Sequence, residues 1–163
     1  MRQVGVKEDT FVKMLGIDFS KLDNKIIYYL NKISMPMLRY SLSLTFIWFG
    51  ALKLFGNSPA IDLVTKTVYW IDPDIFIPIL GYWEVAIGLC ILIRPLIRIG
   101  LFLLALQMPG TFLPLILLPE VCFSSIPFGL TLEGQYIVKN LVLIGAALIV
   151  GSKLIPFKLK LTA

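Results

Sequence analysis

Histidine is absent from the 163-residue sequence, and cysteine occurs only twice, at Cys90 and Cys122. Without histidine the chain cannot form a bis-histidine haem site, a histidine-ligated metal site or a serine–histidine catalytic pair. The two cysteines lack CxxC spacing, and their predicted places near opposite faces of a membrane argue against a disulfide. The sequence therefore offers no haem or metal motif. It contains no flavin motif either, and we expect no catalytic activity of the chain on its own.

Charged residues are also scarce, at 15% of the sequence, whereas 58% of it is apolar and the mean hydropathy is +0.87. These values lie far outside those of soluble proteins. Four long windows are almost free of charge, which predicts an all-α integral membrane protein with a four-transmembrane-helix bundle. The predicted spans are about 36–55, 75–93, 99–118 and 135–152.

Basic residues crowd the ends of these spans. The arm through Arg39, the turn at 94–98 and the tail from Lys153 together hold twelve Lys and Arg, against three in the rest of the chain. This asymmetry predicts that both termini lie in the cytoplasm. It also explains the net charge of +5 without nucleic acid as a partner.

Two segments flank the predicted membrane domain, which covers residues 35–152. Residues 1–34 form a basic arm in which apolar side chains such as Leu22 and Ile26 recur at helical spacing. Such an amphipathic helix is typical of the membrane interface, although a cytosolic helix packed on the bundle is the alternative. Residues 153–163 are predicted to be a basic cytoplasmic tail.

The second predicted span contains a carboxylate, Glu84, at its centre. A charge there costs roughly 2.5–3.5 kcal/mol unless it is paired, protonated or hydrated. Gly81 and Gly88 share the helical face of Glu84, and small residues allow a neighbouring helix to approach closely. We therefore expect Glu84 to face protein or a cavity rather than lipid.

Other polar and aromatic residues fall within the spans and define a candidate site around Glu84. Glu84 lies roughly 13 Å inside the second span and Lys139 about 6 Å inside the fourth. Long side chains could narrow that gap to a direct or water-mediated Glu84–Lys139 contact, whereas Lys53 is shallower and could simply snorkel. Gln107, Thr111 and Pro114 share an inward face near a kink expected at Pro109. The candidate ligand-binding residues are Glu84, Lys139, Asn140, Lys53, Trp48 and Gln107.

These residues admit three interpretations. Glu84 and Asn140 could lock helix packing by hydrogen bonds while the lysines anchor at headgroups. They could instead line an outer-side polar pocket for a ligand or proton, or a permeation path, for which four short helices leave little room. Aromatic side chains such as Phe49 and Trp83 could flank a flat apolar ligand such as a quinone head, or could simply pack.

Short motifs in three of the spans resemble the DoxX-like family of four-span bacterial membrane proteins. They are Trp48–Lys53 (WFGALK), Gly81-x-x-Glu84-x-x-x-Gly88 and 133–141 (EGQYIVKNL). The last is especially similar to a branch that includes an inner-membrane protein of reactive-chlorine resistance. The resemblance covers about residues 37–151, and its matching positions are Gly50, Lys53, Glu84, Gly88 and Asn140.

The resemblance implies a place in a bacterial inner membrane. It also implies a role beside redox enzymes, because family members include a small subunit of a thiosulfate:quinone oxidoreductase and partners in oxidative-stress complexes. It carries over no catalytic residue. We therefore expect an accessory subunit of a quinone-linked or oxidative-stress membrane system. The alternatives are a small proton-coupled transporter that uses Glu84, and a structural assembly protein without a ligand. The expected partners are the lipid bilayer, another membrane or redox protein, and a second copy in a homodimer.

Overall fold

The computed structural model describes residues 19–155. Of the predicted terminal segments, residues 1–18 of the arm and residues 156–163 of the tail therefore lie outside the described part. Helices make up about 81% of it, which confirms the predicted all-α class. In chain order the elements are α1 (Phe19–Leu54), α2 (Ile61–Thr67), α3 (Pro73–Leu92), a 3-10 turn (Arg94–Leu96), α4 (Ile97–Leu117), α5 (Pro119–Cys122), an antiparallel hairpin of β1 (Phe123–Ser125) and β2 (Gly129–Leu130), α6 (Leu132–Val138) and α7 (Asn140–Ser152).

Contacts divide the chain within α1, into a unit that ends at Met37 and one that begins at Leu38. In the described residues of the first unit, most of the large apolar side chains are exposed. They are Leu22, Ile26, Ile27, Tyr28, Tyr29, Leu30, Ile33 and Met37. Their helical conformation is observed, whereas their predicted place in the membrane interface stays a prediction.

Three helical segments of the described chain are long and apolar enough to cross a membrane, by length and composition. They are Pro73–Leu92, Arg94–Leu117 and Leu132–Ser152, and they indicate a multi-pass membrane protein. The predicted first span, 36–55, is not among them. It is the second half of α1, and its apolar run contains both Arg39 and Lys53.

Local signals explain where two of these segments begin. Pro73 occupies the first turn of α3, and the side chain of Asp72 accepts a hydrogen bond from the Asp74 amide at 3.0 Å. Thr131 caps α6 by accepting from the Gly134 amide at 3.2 Å. The backbone of Lys139 between α6 and α7 is helical, so the two helices follow each other as one segment.

The third predicted span contains two prolines, and a kink was expected near Pro109. In the structure α4 continues through both Pro109 and Pro114 as one helix from Ile97 to Leu117. Interior prolines are tolerated in membrane helices because neighbouring groups satisfy the freed carbonyls.

Helices α1 and α3 pack closely and antiparallel through glycines. A Cβ built on Gly50 would lie 2.6 Å from the Gly81 carbonyl oxygen, and one on Gly88 would lie 2.7 Å from the Ser43 carbonyl oxygen. The Ser43 hydroxyl donates to the Gly88 carbonyl at 2.6 Å. Leu54, at the end of α1, lies beside Gly81, so α1 stops ~12 Å short of the level of Pro73, eight residues earlier in α3.

Helices α3 and α4 are also antiparallel, because Gly100 contacts Ile91 near the connecting turn and Gln107 bonds to Glu84 further along. We call the two ends of the bundle the Arg94 end and the Pro73 end. The buried core includes Ile87 and Ile91, which are fully buried. Around them lie Leu42, Phe46, Leu104, Met108 and Ala147.

Candidate functional site

Three polar side chains from three helices meet between the packed core and the Pro73 end. The Lys53 ammonium donates to Glu84 Oε2 at 2.6 Å, and Gln107 Nε2 donates to Glu84 Oε1 at 2.8 Å. Lys53 and Glu84 are each only 7% exposed. Both carboxylate oxygens therefore have a donor, and the prediction that Glu84 faces protein is confirmed.

The glycine seam determines which lysine reaches Glu84. Because α1 ends level with Gly81, Lys53 lies well below the level of Pro73 and its ammonium extends across the seam to Glu84. A lysine on a longer helix would reach toward the headgroups, as shallow lysines commonly do. Lys53 is therefore a buried partner rather than a snorkelling anchor.

The pair is costly to disrupt. In a low-dielectric interior the attraction between two charges offsets their desolvation only when geometry and hydrogen bonding are good. Here the direct Lys53–Glu84 contact provides the geometry, and the bond from Gln107 provides the additional hydrogen bonding. Removal of one partner would leave the other charge buried, which typically costs about 3–5 kcal/mol.

The three side chains line a partly open cavity of about 590 Å³. Volumes of roughly 300–1,000 Å³ are typical of small-molecule sites. Most of the wall is apolar and aromatic. It includes Phe46, Phe49, Trp70, Phe76, Trp83, Leu113 and Tyr136.

Helix α2 forms the wall of the cavity beyond the end of α1. Leu63, Val64 and Thr67 line the cavity and stand on one face of α2, whereas Asp62 and Lys66 are exposed. The Thr67 hydroxyl donates to the Leu63 carbonyl at 2.6 Å, which leaves its oxygen lone pairs free to accept. The signal in the sequence for this place in the site is the i, i+1, i+4 spacing of these residues.

One acceptor in the site lacks a donor. Gln107 Oε1 is buried and has no hydrogen-bond partner in the described part of the chain. Its amide cannot be reversed without loss of the bond from Nε2 to the Glu84 carboxylate. An unsatisfied buried acceptor costs about 1–3 kcal/mol, so the site is short of one donor that water or a ligand would supply.

The structure brings together four of the six candidate residues. Lys53 and Gln107 both donate to Glu84, and Asn140 lines the same cavity. The predicted inward face of α4 is confirmed, because Thr111 and Pro114 also line it along with Gln107.

The other two candidates lie elsewhere. Trp48 is 61% exposed and stands on a different side of α1 from Thr45, Phe49 and Lys53, which line the cavity. Lys139 is exposed and its ammonium lies 3.8 Å from the centre of the Tyr136 ring. The contact considered between Lys139 and Glu84 is therefore replaced by the Lys53 pair.

Among residues 19–155, no group of three or more His, Cys, Asp or Glu side chains is placed to hold a metal ion. The hydrogen-bonding side chains at the cavity include those of Lys53, Gln107, Asn140 and two threonines. Lysine and amide groups can donate to carbonyl or hydroxyl oxygens, and the hydroxyls of Thr67 and Thr111 can accept.

No protein-family model, curated protein or solved structure matches the chain. The DoxX-like resemblance, the homodimer and the redox partner accordingly stay predictions.

Proposed function

We propose that this chain is an accessory membrane subunit that binds a lipid-soluble ligand of the quinone class, within a quinone-linked or oxidative-stress system. The observation that carries the proposal is the largely apolar cavity with Lys53, Glu84 and Gln107 at one place in its wall. A large apolar wall with few convergent polar groups is the usual form of a small-molecule site.

The position of the cavity favours a ligand that arrives from the bilayer. Ile79 and Leu106 line it and are more than half exposed. Both lie inside membrane-span segments, where an exposed side chain faces lipid. A molecule dissolved in the hydrocarbon region could therefore reach the cavity without passing through water.

The polar groups suit a ring that carries oxygen atoms. A quinone carbonyl can accept from the Lys53 ammonium or the Asn140 amide, whose side chain has no hydrogen-bond partner in residues 19–155. A quinol hydroxyl can donate to a threonine oxygen or to Gln107 Oε1 after a small adjustment. The aromatic walls, with Phe49 and Trp83 among them, would accommodate a flat ring.

We further propose that α1 provides a fourth crossing through residues 36–55, with both termini in the cytoplasm of a bacterium and the Pro73 end outward. The support is the antiparallel packing of α1 on α3 and the distribution of basic residues. On this topology the cavity lies in the outer half of the bundle, and membership of the DoxX-like family would account for the four crossings.

The binding test is quinone content after purification in mild detergent with retained lipid. We expect quinone to co-purify with the wild type, and a short-tailed benzoquinone to raise its melting temperature. The cavity-filling variant Val64→Phe should lose both effects while it remains folded. Glu120→Gln, which changes an exposed carboxylate outside the cavity, is the matched control. A wild type that neither retains quinone nor responds to it would contradict the proposal.

A second candidate function is purely structural, since the same three side chains join α1, α3 and α4. In that case Glu84→Gln would lower stability, and a Val64→Phe strain would tolerate oxidants as well as the wild type does. The accessory-subunit proposal instead predicts that Val64→Phe sensitises cells to oxidants without a loss of stability. The two candidates thus differ in the phenotype of one stable variant.

A further inference from the structure

The hairpin between α5 and α6 exposes two large apolar side chains at its tip. Phe128 is 93% exposed and Ile126 is 72% exposed. The tip belongs to a two-stranded ribbon in which Phe123 pairs with Leu130 and Ser125 with Gly129. Isolated exposed apolar residues are common on proteins, but two that alternate along one connected tip form a local apolar surface.

The base of this hairpin is firmly packed. Cys122 is fully buried, and its carbonyl accepts from the Thr131 amide at 3.0 Å. The Thr131 hydroxyl donates to the Val121 carbonyl at 2.7 Å, and Gly134 packs against the Cys122 carbonyl. The packed base therefore fixes the position of the tip relative to α5 and α6.

The hairpin is also tied to the level of the membrane surface. It connects α4, which ends at Leu117, to α6, which begins at Leu132, and both helices belong to membrane-span segments. Residues 121–132 contain no charged side chain, whereas Glu120 and Glu133 stand immediately on either side. The connection is too short to carry the tip far from the bilayer.

We propose that the tip of the hairpin, Ile126 to Phe128, inserts into the headgroup–acyl boundary of the bilayer at the Pro73 end. The lipid surface is continuous with the lipid-facing sides of α4 and α6, which makes it the nearest apolar phase. Removal of a Phe side chain from water into an apolar phase is favourable. The cost of polar backbone is reduced, since the strands pair and the Ser124 hydroxyl donates to the Gly129 carbonyl at 3.1 Å.

This inference depends on the membrane spans and not on the ligand of the cavity. It is tested by a nitroxide label on Phe128→Cys in a Cys90→Ser background, in nanodiscs of phosphatidylcholine and phosphatidylglycerol. Cys122 can stay, because burial, with Glu133 and Glu120 nearby, raises the pKa of its thiol and keeps it unreactive. The control label is placed on Glu120→Cys, and Ile126→Cys provides a second position at the tip.

We expect the labels at positions 126 and 128 to be relaxed more by oxygen than by a water-soluble nickel chelate, and the label at position 120 to show the opposite order. Tip labels that respond to nickel as strongly as the label at position 120 would overturn the proposal. Tip labels that are protected from both reagents would also overturn it, since they would indicate cover by protein, such as a second copy of the chain.

Discussion

The two halves of the bundle are built from similar helices but pack in different ways. Toward the Arg94 end, glycines bring backbones into contact and Ile87 and Ile91 are fully buried. Toward the Pro73 end, α1 stops early and the space is occupied by α2 and by the cavity of about 590 Å³. The Lys53–Glu84 pair lies at the border between the two halves. The tightly packed half holds the pair in position, and the other half contains the space for a ligand.

The largest expected loss of stability comes from a change to the Lys53–Glu84 pair at the border between the halves. Lys53→Met should destabilise the protein by about 3–5 kcal/mol, because it leaves Glu84 buried without its cation. The double variant Lys53→Met with Glu84→Leu should recover most of that loss, since well-packed apolar side chains replace buried pairs at little cost. Equilibrium unfolding in micelles measures both. A double variant less stable than Lys53→Met would show that the pair is not a coupled unit.

In the tightly packed half, Gly88→Ala should destabilise by about 1–3 kcal/mol through overpacking. Its Cβ would lie 2.6 Å from Ile47 Cγ1 and 2.7 Å from the Ser43 carbonyl oxygen, so α1 would have to move. Gly145→Ala is the matched control, because a Cβ there meets nothing within 4 Å. Thermal unfolding of both variants checks this, and equal melting temperatures would contradict the close approach.

The same substitution at two places on α4 compares the halves directly. Leu104→Phe adds volume to the buried core and should cost about 1–3 kcal/mol. Leu113→Phe projects into the cavity wall and should change stability by less than about 1 kcal/mol. Unfolding midpoints give the comparison. Equal penalties would mean that the cavity half is as tightly packed as the other.

The smallest expected effect is on the alkylation rate of Cys122. Measuring this rate tests whether all of the Pro73 end is loosely packed. Burial, then Glu133 and Glu120, raise the pKa of this thiol, so less thiolate is present at a given pH than in an unfolded chain. We expect slow alkylation that accelerates only above the pH range of an ordinary thiol, and fast alkylation in denaturant. A labelling rate that is equal in the native and denatured protein would contradict the packed hairpin base.

Much of this fold follows from the sequence, whereas the site follows only in part. The apolar runs predicted three of the helices, and the Gly81–Gly88 face predicted the burial of Glu84. The partner of Glu84 could not be predicted in the same way, because it depends on how far α1 slides along α3. That register is set by backbone contacts at Gly50 and Ser43, which the apolar pattern does not encode.

The two outliers among the candidates have related causes. The sequence does not show which side of α1 will face the cavity, because the cavity forms only where α1 ends before α3 does. The direction of the Trp48 side chain could therefore not be predicted. Lys139 was chosen as a candidate from its predicted depth in the membrane alone. In the structure its ammonium contacts the nearby Tyr136 ring instead of Glu84. Depth in the membrane can be read from a sequence more readily than the direction of a side chain.

The Lys53–Glu84 pair has a consequence for the response of the protein to voltage. The Lys53 ammonium and the Glu84 carboxylate, 2.6 Å apart, sum to zero charge. A transmembrane potential therefore exerts almost no net force on them, although an elementary charge carried across the bilayer exchanges about 2.3 kcal/mol per 100 mV. The intact pair carries no net charge on which the potential could act. If a substitution neutralised one member of the pair, the charge left on the other would make the site respond to the potential.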